Sequence, residues 1–288
     1  MESLAVQRML SGGGEGALDE RSRYLRRLVM RALLAADMGH VGSALSLIEI
    51  LRVLYDDVVR HDPARPSWSE RDLVMLSKGH GCLALYALLA DHGYFPLEHL
   101  DTFCSSNAPL GGHPERGLEM GIEASTGALG HGLPLAAGVA IAHRRRKSFA
   151  RIYVIVGDGE LNEGSNWEAL LIASKYKLNN LTVIVDNNAD QICGPIETIL
   201  PLEPLRAKFD AFGAETMDVD GHDLTQLRAA FDYRVPATPG RPRVVICHTI
   251  KGKGLPFAER NPAWHYKRRF EPDLIKEIEI HLGGPLRP

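Results

Sequence analysis

Two apolar segments that each end in a polar side chain restrict the possible folds of this chain most strongly. The segment at 152–156 runs into Gly157-Asp158-Gly159, and the segment at 181–185 runs into Asn187-Asn188. Residues 162–177 lie between them and carry apolar side chains near helical spacing. Because a helix that joins two parallel strands leaves their carboxyl ends on one edge of the sheet, we predict that Asp158 and Asn188 converge.

The chemistry of this pair indicates a bound metal ion. Carboxylate and amide oxygens suit a hard divalent cation, and Mg²⁺ takes only a few protein oxygens and completes its octahedron with phosphate and water. Asp158 and Asn188 therefore predict a diphosphate group held through a metal. Gly-Asp-Gly alone is also an ordinary turn after a strand, so this prediction depends on the rest of the sequence.

The order of the predicted elements indicates an α/β fold, a mostly parallel sheet with helices on both faces. Of the 288 residues, 45% are hydrophobic, which is enough for a large core. One domain is predicted over residues 18–288, after a mobile, glycine-rich segment at 1–17. Further strands are predicted at 73–76, 214–219 and 243–248, and further helices at 19–37, from about 46, and at 82–92, 133–147, 223–232 and 272–282.

Local signals predict where several of these helices begin and end. Gly39 is placed to stop the first helix and Gly93 to stop the helix that ends near His92. Ser46-x-x-Glu49 has the form of a capping box at the start of the second helix.

Charge and cysteine content exclude several classes of function. The net charge is −3, and the one basic cluster, Arg144-Arg145-Arg146-Lys147, ends a predicted helix, where cations suit the helix dipole, so no nucleic-acid partner is predicted. The apolar segments are too short to span a membrane and no signal peptide is visible, which predicts a cytoplasmic location. The cysteines are widely spaced without Cys-x-x-Cys, which argues against zinc and predicts reduced, mostly buried thiols; they are Cys82, Cys104, Cys193 and Cys247.

Histidines that directly follow glycine are unusually frequent. Glycine lets a following side chain approach a ligand closely, although a single Gly-His is usually an ordinary turn. These histidines are His40, His80, His113, His131 and His222. The contexts of the first four, in order along the chain, each resemble a transketolase motif: Met38-Gly39-His40-Val41-Gly42-Ser43, Leu76-Ser77-Lys78-Gly79-His80-Gly81, Gly111-Gly112-His113-Pro114-Glu115 and Ser125-Thr126-Gly127-Ala128-Leu129-Gly130-His131-Gly132.

The resemblance to transketolases extends over residues 20–280. Its further motifs lie at 157–164 and 248–254, and the last one is Trp264-His265. It implies a thiamine diphosphate-binding fold and transfer of a two-carbon ketol unit from a ketose donor to an aldose acceptor.

Four histidines are the catalytic candidates that the resemblance implies. His40 and His265 would assist proton transfers on the sugar, His113 would hydrogen-bond the hydroxyls of the donor, and His80 would lie beside the diphosphate and the substrate. Imidazole suits these roles because it titrates near neutral pH and can both donate and accept.

The resemblance also implies a cofactor site for thiamine diphosphate and Mg²⁺ or Ca²⁺. The metal would be bound by side-chain oxygens of Asp158 and Asn188 and by the main-chain carbonyl of Asp190. Leu129 would pack against the cofactor rings and Glu163 would link two active sites across an interface. The remaining cofactor-binding candidates are His80, Gly127, Ala128, Gly157 and Gly159.

Some positions depart from the family pattern or fall outside it. Ala128 replaces a common proline and His131 a common glutamine, and both could tune the choice of donor. Arg116 and Lys251 are candidate phosphate ligands, for which solvated surface is the favoured interpretation.

The resemblance implies a partner chain. In transketolases the glutamate that activates the cofactor lies in a pyrimidine-binding domain, for which the sequence up to Pro288 contains no second strand-rich half. We therefore predict the N-terminal subunit of a split transketolase, in an α₂β₂ assembly with a C-terminal subunit. The pathway, whether pentose phosphate or natural-product metabolism, stays open.

Three alternatives remain at this point. The α subunit of a 2-oxoacid dehydrogenase also has Gly-Asp-Gly and a strand that ends in Asn-Asn, but lacks the Gly-His-Pro-Glu and Trp-His motifs. 1-Deoxyxylulose-5-phosphate synthase fits less well around His80 and His113. A non-catalytic cofactor-binding subunit is the third.

Overall fold

The computed structural model describes residues 18–232 and 238–286. The segment 1–17, for which mobility is predicted, lies outside the described residues. Within these two ranges, none of the helices combines the length and apolar character that crossing a bilayer requires.

Seven of the described helices lie where the sequence predicts a helix, and three short ones, at 42–45, 196–199 and 205–211, were not predicted. In chain order they are α1 (Glu20–Ala36), α2 (Gly42–Leu45), α3 (Ile48–Val53), α4 (Cys82–Asp91), α5 (Gly132–Arg145), α6 (Gly164–Lys175), α7 (Ile196–Ile199), α8 (Leu205–Ala211), α9 (Leu224–Phe231) and α10 (Pro272–Leu282). The predicted helix 162–177 begins as a 3₁₀ turn at Gly159–Asn162 and becomes α-helical from Gly164.

The strands form one parallel sheet and one short ladder. They are β1 (Met38–Gly39), β2 (Leu73–Leu76), β3 (Ile152–Gly157), β4 (Leu181–Asn187), β5 (Glu215–Asp220), β6 (Arg243–His248) and β7 (Lys267–Arg268). The sheet has the order β2-β3-β4-β6-β5 and all its neighbours are parallel, while β1 and β7 pair antiparallel. The predicted α/β class is confirmed.

The central strands are buried on both faces. Tyr153 and Ile155 face one apolar cluster that includes side chains of α1, α3 and α4, whereas Val154 and Val156 face a second cluster with α5, α6 and α8. Because side chains alternate along a strand, a strand covered on both faces is a continuous apolar run, as 152–156 is. The polar residues that follow β2, β3, β4 and β6 therefore meet at one edge.

Two of the predicted helix signals are wrong. Helix α1 ends at Ala36 with Asp37 in the left-handed conformation, and Gly39 belongs to β1. The Ser46 hydroxyl donates to Asp186 near the end of β4 instead of capping a helix, and α3 has no side-chain cap. Glu49 is 2% exposed and binds Arg26 and His222, so its role is to neutralise a buried guanidinium.

Other local predictions are confirmed or corrected. The helix α4 ends at Asp91 and Gly93 follows at φ +82°. The basic cluster at 144–147 lies at the end of α5, as predicted. Four cysteines are free, but only Cys82 and Cys247 are buried, whereas Cys104 and Cys193 are exposed.

Candidate active site

Four histidines that are far apart in sequence lie around one point. The ring centroid of His40 is 5.6 Å from that of His80, 5.9 Å from that of His113 and 5.3 Å from that of His265. His40, His80 and His113 line a cavity of about 220 Å³ whose other walls are largely apolar, and His265 lies against His40 and His80 beside it. The four predicted catalytic side chains are thus brought together.

The short β1–β7 ladder places one of these histidines beside an aromatic ring. Met38 pairs with Arg268 and Gly39 with Lys267, so His40 and Tyr266 follow on adjacent strands with their rings 4.8 Å apart. Gly39 has φ +152°, and a Cβ there would lie 2.6 Å from a side-chain carbon of α1. Only glycine therefore allows the chain to pass this close to the helix.

Three imidazoles of this cluster are neutral at physiological pH. Burial, with smaller contributions from His113, Lys251 and Lys78, lowers the pKa of His40 to about 4. Burial and the nearby charges lower the pKa of His265 to about 4 and that of His80 to about 2. A neutral imidazole can accept a proton at one nitrogen while it donates from the other.

At the acidic end of the site, Asp158 and Asn188 lie close together, as predicted. The Asp158 carboxylate is 3% exposed and accepts from the main-chain N–H of Ala189 at 2.6 Å, directly after Asn188. The Asn188 side-chain oxygen in turn accepts from the N–H of Asp190 at 3.1 Å. Burial, followed by repulsion from Asp186, raises the pKa of Asp158 to about 7.

A buried ion pair behind this edge was not predicted from the sequence. The Lys78 ammonium and the Asp186 carboxylate form an ion pair with both side chains at most 1% exposed. Ser46 and Thr249 also donate to Asp186. Burial alone would raise the pKa of Asp186, but Lys78 and these hydroxyls hold it below its usual value. A lysine within the Ser-Lys-Gly-His-Gly turn after a strand was the available signal.

Glycines allow the loops of the site to touch. A Cβ on Gly79 would lie 2.8 Å from the main-chain nitrogen of Gly127, and Gly127 itself has φ +136°. The Glu160 carboxylate, also missed by the sequence prediction, accepts from the N–H groups of Gly130 and Gly157 at 3.0 and 3.1 Å. These contacts join the loops after β2 and β3 to the segment before α5.

Unsatisfied polar groups indicate room for an anionic ligand and a cation. His265 Nδ1 and Gln191 Nε2 are buried with no hydrogen-bond partner among the described residues. Asp158 is a buried carboxylate that no described cation contacts directly, which suits a divalent ion. Among the described residues no group of three His, Cys, Asp or Glu side chains could hold a metal. The predicted ligand set contains only one such side chain, the Asp158 carboxylate, and is completed by the amide oxygen of Asn188 and the main-chain carbonyl of Asp190.

Other candidates lie elsewhere or differ from expectation. His222 binds Glu49 and His131 is exposed, so neither joins the histidine cluster. Glu163 is exposed at the start of α6 and makes no capping hydrogen bond. Arg116 is exposed as expected, but the surface interpretation of Lys251 is wrong, because this side chain is 4% exposed.

Comparison with known proteins identifies a family. Residues 19–283 match the family model described as transketolase, thiamine diphosphate binding domain. The chain is 45% identical over 253 residues to an apulose-4-phosphate transketolase subunit from Actinobacillus succinogenes, an alignment that covers 87% of this chain and 90% of that one. It is 40% identical over 248 residues to the 6-deoxy-6-sulfo-D-fructose transketolase subunit SqwG of a Clostridium species, with 86% and 90% covered.

Solved structures give the same result. A transketolase variant from Pichia stipitis in complex with fructose 6-phosphate superposes with a TM-score of 0.86 at 29% identity over 93% of this chain. Transketolase from Campylobacter jejuni superposes with a TM-score of 0.85 at 30% identity. The chain spans 41% and 43% of these two proteins. The chain therefore belongs to the transketolase family and carries its thiamine diphosphate-binding domain.

Proposed function

We propose that this chain is the N-terminal subunit of a two-subunit transketolase, which transfers a two-carbon ketol unit from a ketose to an aldose. The observation that carries this proposal is the cavity lined by His40, His80 and His113 and bordered by His265, next to the edge that carries Asp158 and Asn188. The cavity volume of about 220 Å³ leaves room for a sugar.

The neutral histidines account for proton transfer. Because burial lowers the pKa of His40 and His265 to about 4, both rings are unprotonated at physiological pH and can accept a proton from a substrate hydroxyl and return it to the product. His113 would hydrogen-bond hydroxyls of the donor, and His80 would lie beside the diphosphate and the substrate. Thiamine diphosphate, when bound, supplies the nucleophilic carbon and the electron sink.

The remaining predicted residues would hold the cofactor. Asp158, Asn188 and the carbonyl of Asp190 would bind Mg²⁺ or Ca²⁺. Gly157 and Gly159 would leave room for the diphosphate, as would the main chain at Gly127 and Ala128, and Leu129 would pack on the rings. Departures at Ala128 and His131 would affect the choice of donor.

Two buried donors at the same end suit the diphosphate oxygens. The Lys251 ammonium donates to the main-chain carbonyls of Asp190 and Gln191 at 3.2 and 3.0 Å and forms no ion pair within the described parts of the chain. The side-chain amide of Gln191 packs over the Gly-Asp-Gly turn, where a Cβ on Gly159 would lie 3.1 Å from its Cγ. Its buried N–H has no acceptor among the described residues, and a diphosphate oxygen would supply one.

The partner would be a C-terminal subunit with a pyrimidine-binding domain and the activating glutamate. Two relatives are named as transketolase subunits, and the alignment with this chain covers 90% of the length of each, which supports a heteromer. In an α₂β₂ assembly Glu163, exposed at the start of α6, would face an interface. The same relatives are named for a sugar phosphate and a sulfo-sugar, which favours anionic sugars as substrates, and we place the enzyme in the cytoplasm as one domain over 18–288.

Co-purification with the product of the neighbouring reading frame tests this proposal. The heteromer is expected to transfer the ketol unit from xylulose 5-phosphate to ribose 5-phosphate, with no transfer by this chain alone. His265→Ala should lower turnover about 100-fold or more, the scale of lost general acid–base catalysis. The exposed His281→Ala in α10 is the matched control.

Three outcomes would count against the proposal. Wild-type turnover by the His265→Ala heteromer would remove this residue from the mechanism, and activity of the single chain would overturn the need for a partner. Decarboxylation of a 2-oxoacid without ketol transfer would indicate the dehydrogenase alternative.

A further inference from the structure

One face of the β1–β7 ladder forms a wall of the histidine cavity. Side chains alternate along a strand, so Met38 and His40 share one face of the ladder with Tyr266 and Arg268, which lie opposite them. Met38, His40 and Tyr266 line the cavity. Arg268, the fourth member of this face, is directly opposite Met38 and is exposed at the rim.

The Arg268 guanidinium is held at this rim by an aromatic ring. Its Cζ lies 5.7 Å from the centre of the Tyr266 ring, and the Tyr266 ring lies 4.8 Å from that of His40. Such a stacked position suits a guanidinium, whose planar fork remains free to donate from its edge. The Tyr266 ring therefore lies between His40, which would transfer protons, and the positive charge of Arg268.

The charge of Arg268 is not compensated by the described parts of the chain. No acidic side chain there forms an ion pair with it, in contrast to the arginines at 21, 26, 31 and 52, which all have carboxylate partners. None of the residues that line the cavity is a lysine or an arginine. Arg268 is thus the cation that this ladder face offers to a ligand in the cavity.

We propose that Arg268 binds the tetrahedral anionic group, a phosphate ester or a sulfonate, at the far end of the sugar substrate. This inference rests on the proposed function, because it assigns a specificity-determining residue to the same site. A sugar whose reacting carbons lie among the histidines extends along Tyr266 toward the rim, where the guanidinium can donate two N–H groups to the oxygens of the anion. The residue would distinguish charged from uncharged sugars.

Kinetics of the assembled heteromer with charged and uncharged donors test this proposal. Arg268→Gln is expected to raise KM for xylulose 5-phosphate about tenfold, the scale of a lost hydrogen bond to a charged group, with a smaller change in kcat. KM for L-erythrulose, a ketose without an anionic group, should stay unchanged. The difference between the variant and the wild type should also shrink with added salt, because the lost interaction is one between exposed charges.

Neighbouring residues provide the controls. Lys267→Gln removes a cation from the opposite face of the same strand, where its ammonium lies 5.3 Å from the centre of the Trp264 ring, and should behave as the wild type does. Arg268→Lys keeps the charge without the planar fork and should retain part of the affinity. If the Arg268→Gln subunit does not assemble with its partner, Arg268→Lys tests the proposal instead, through its KM values for xylulose 5-phosphate and L-erythrulose.

A sulfonated donor separates the two possible anions. The same variants are assayed with 6-deoxy-6-sulfofructose, and the donor whose kcat/KM falls more in Arg268→Gln carries the anion that the site recognises. A fall with neither charged donor would overturn the inference.

Each contrary result has a distinct meaning. Unchanged KM for both charged donors in Arg268→Gln would overturn this inference and leave the proposed function intact. An equal rise of KM for L-erythrulose would show that Arg268 shapes the cavity and does not recognise an anion. Failure of the wild-type heteromer to transfer a ketol unit from any of the three donors would overturn both proposals.

Discussion

The histidine cluster and the acidic edge differ in how they are held. The acidic edge is fixed by many hydrogen bonds, since Asp186 accepts from Lys78, Ser46 and Thr249. In contrast, the ring nitrogens of the four clustered histidines make no hydrogen bonds to other described residues. The end that holds a cofactor is thus preorganised, and the end that would do proton chemistry leaves its donors and acceptors free for substrate.

The two regions also differ in the origin of their charge state. His40, His80 and His265 are neutral because burial and nearby cations lower their pKa values. Asp158 is affected in the opposite sense, because burial and Asp186 raise its pKa to about 7. A bound cation would therefore stabilise the ionised carboxylate of Asp158 at the acidic edge, whereas the neutral histidines need no counter-ion.

The largest effect is expected at the buried ion pair. Lys78→Met would leave the Asp186 carboxylate uncompensated and should lower the free energy of unfolding by about 3–5 kcal/mol. Urea denaturation measures it, with Lys253→Met as the control, for which about 0.5 kcal/mol or less is expected. A stable Lys78→Met protein would show that the acidic edge is not held by this pair.

The next largest effect concerns the metal. Asp158→Asn should weaken Mg²⁺-dependent binding of thiamine diphosphate to the heteromer about 100-fold, which corresponds to about 2.7 kcal/mol, because the charged ligand is lost. The metal-free protein should be no less stable, since a buried and poorly compensated charge is removed. Unchanged Mg²⁺ dependence in calorimetry would contradict the assignment of Asp158 as a ligand.

The histidine cluster makes a smaller, pH-dependent contribution. The folded pKa values of His40 and His265 lie below the usual value of 6.5, so the unfolded chain binds more protons, and stability should be lost as pH falls from about 6.5 toward 4. His265→Asn should reduce the slope of the unfolding free energy against pH in this range by at most the contribution of one proton, about 1.4 kcal/mol per pH unit. Urea midpoints measured across this range check it, and an unchanged slope would mean that His265 is not buried in solution.

The smallest effect is expected at the cavity wall. Tyr266 packs edge-on against His40, and such aromatic pairs contribute about 0.5–1.5 kcal/mol. Tyr266→Leu in the heteromer should therefore raise KM about two- to tenfold with a smaller change in kcat, and Tyr266→Phe should behave as the wild type. A larger loss in kcat than in KM would instead place Tyr266 in the chemical step.

Much of the fold could be predicted because its signals are local. The apolar run at 152–156 led directly to a strand buried on both faces, and Gly157-Asp158-Gly159 marked its end. Parallel connection then placed Asn188 beside Asp158 without any further information. The helix caps were less predictable, because the Ser46 hydroxyl has a partner 140 residues away that outcompetes the local one.

The sequence by itself determined the α/β alternation, the polar strand ends and the set of glycine-linked histidines. Only the tertiary structure decided that His40 and His265 meet, that Lys78 neutralises Asp186 and that Lys251 is buried. The physical reason is range. Strand and helix periodicity depend on neighbours in the chain, whereas burial, ion pairing and the resulting pKa values depend on residues that become neighbours only after the chain has folded.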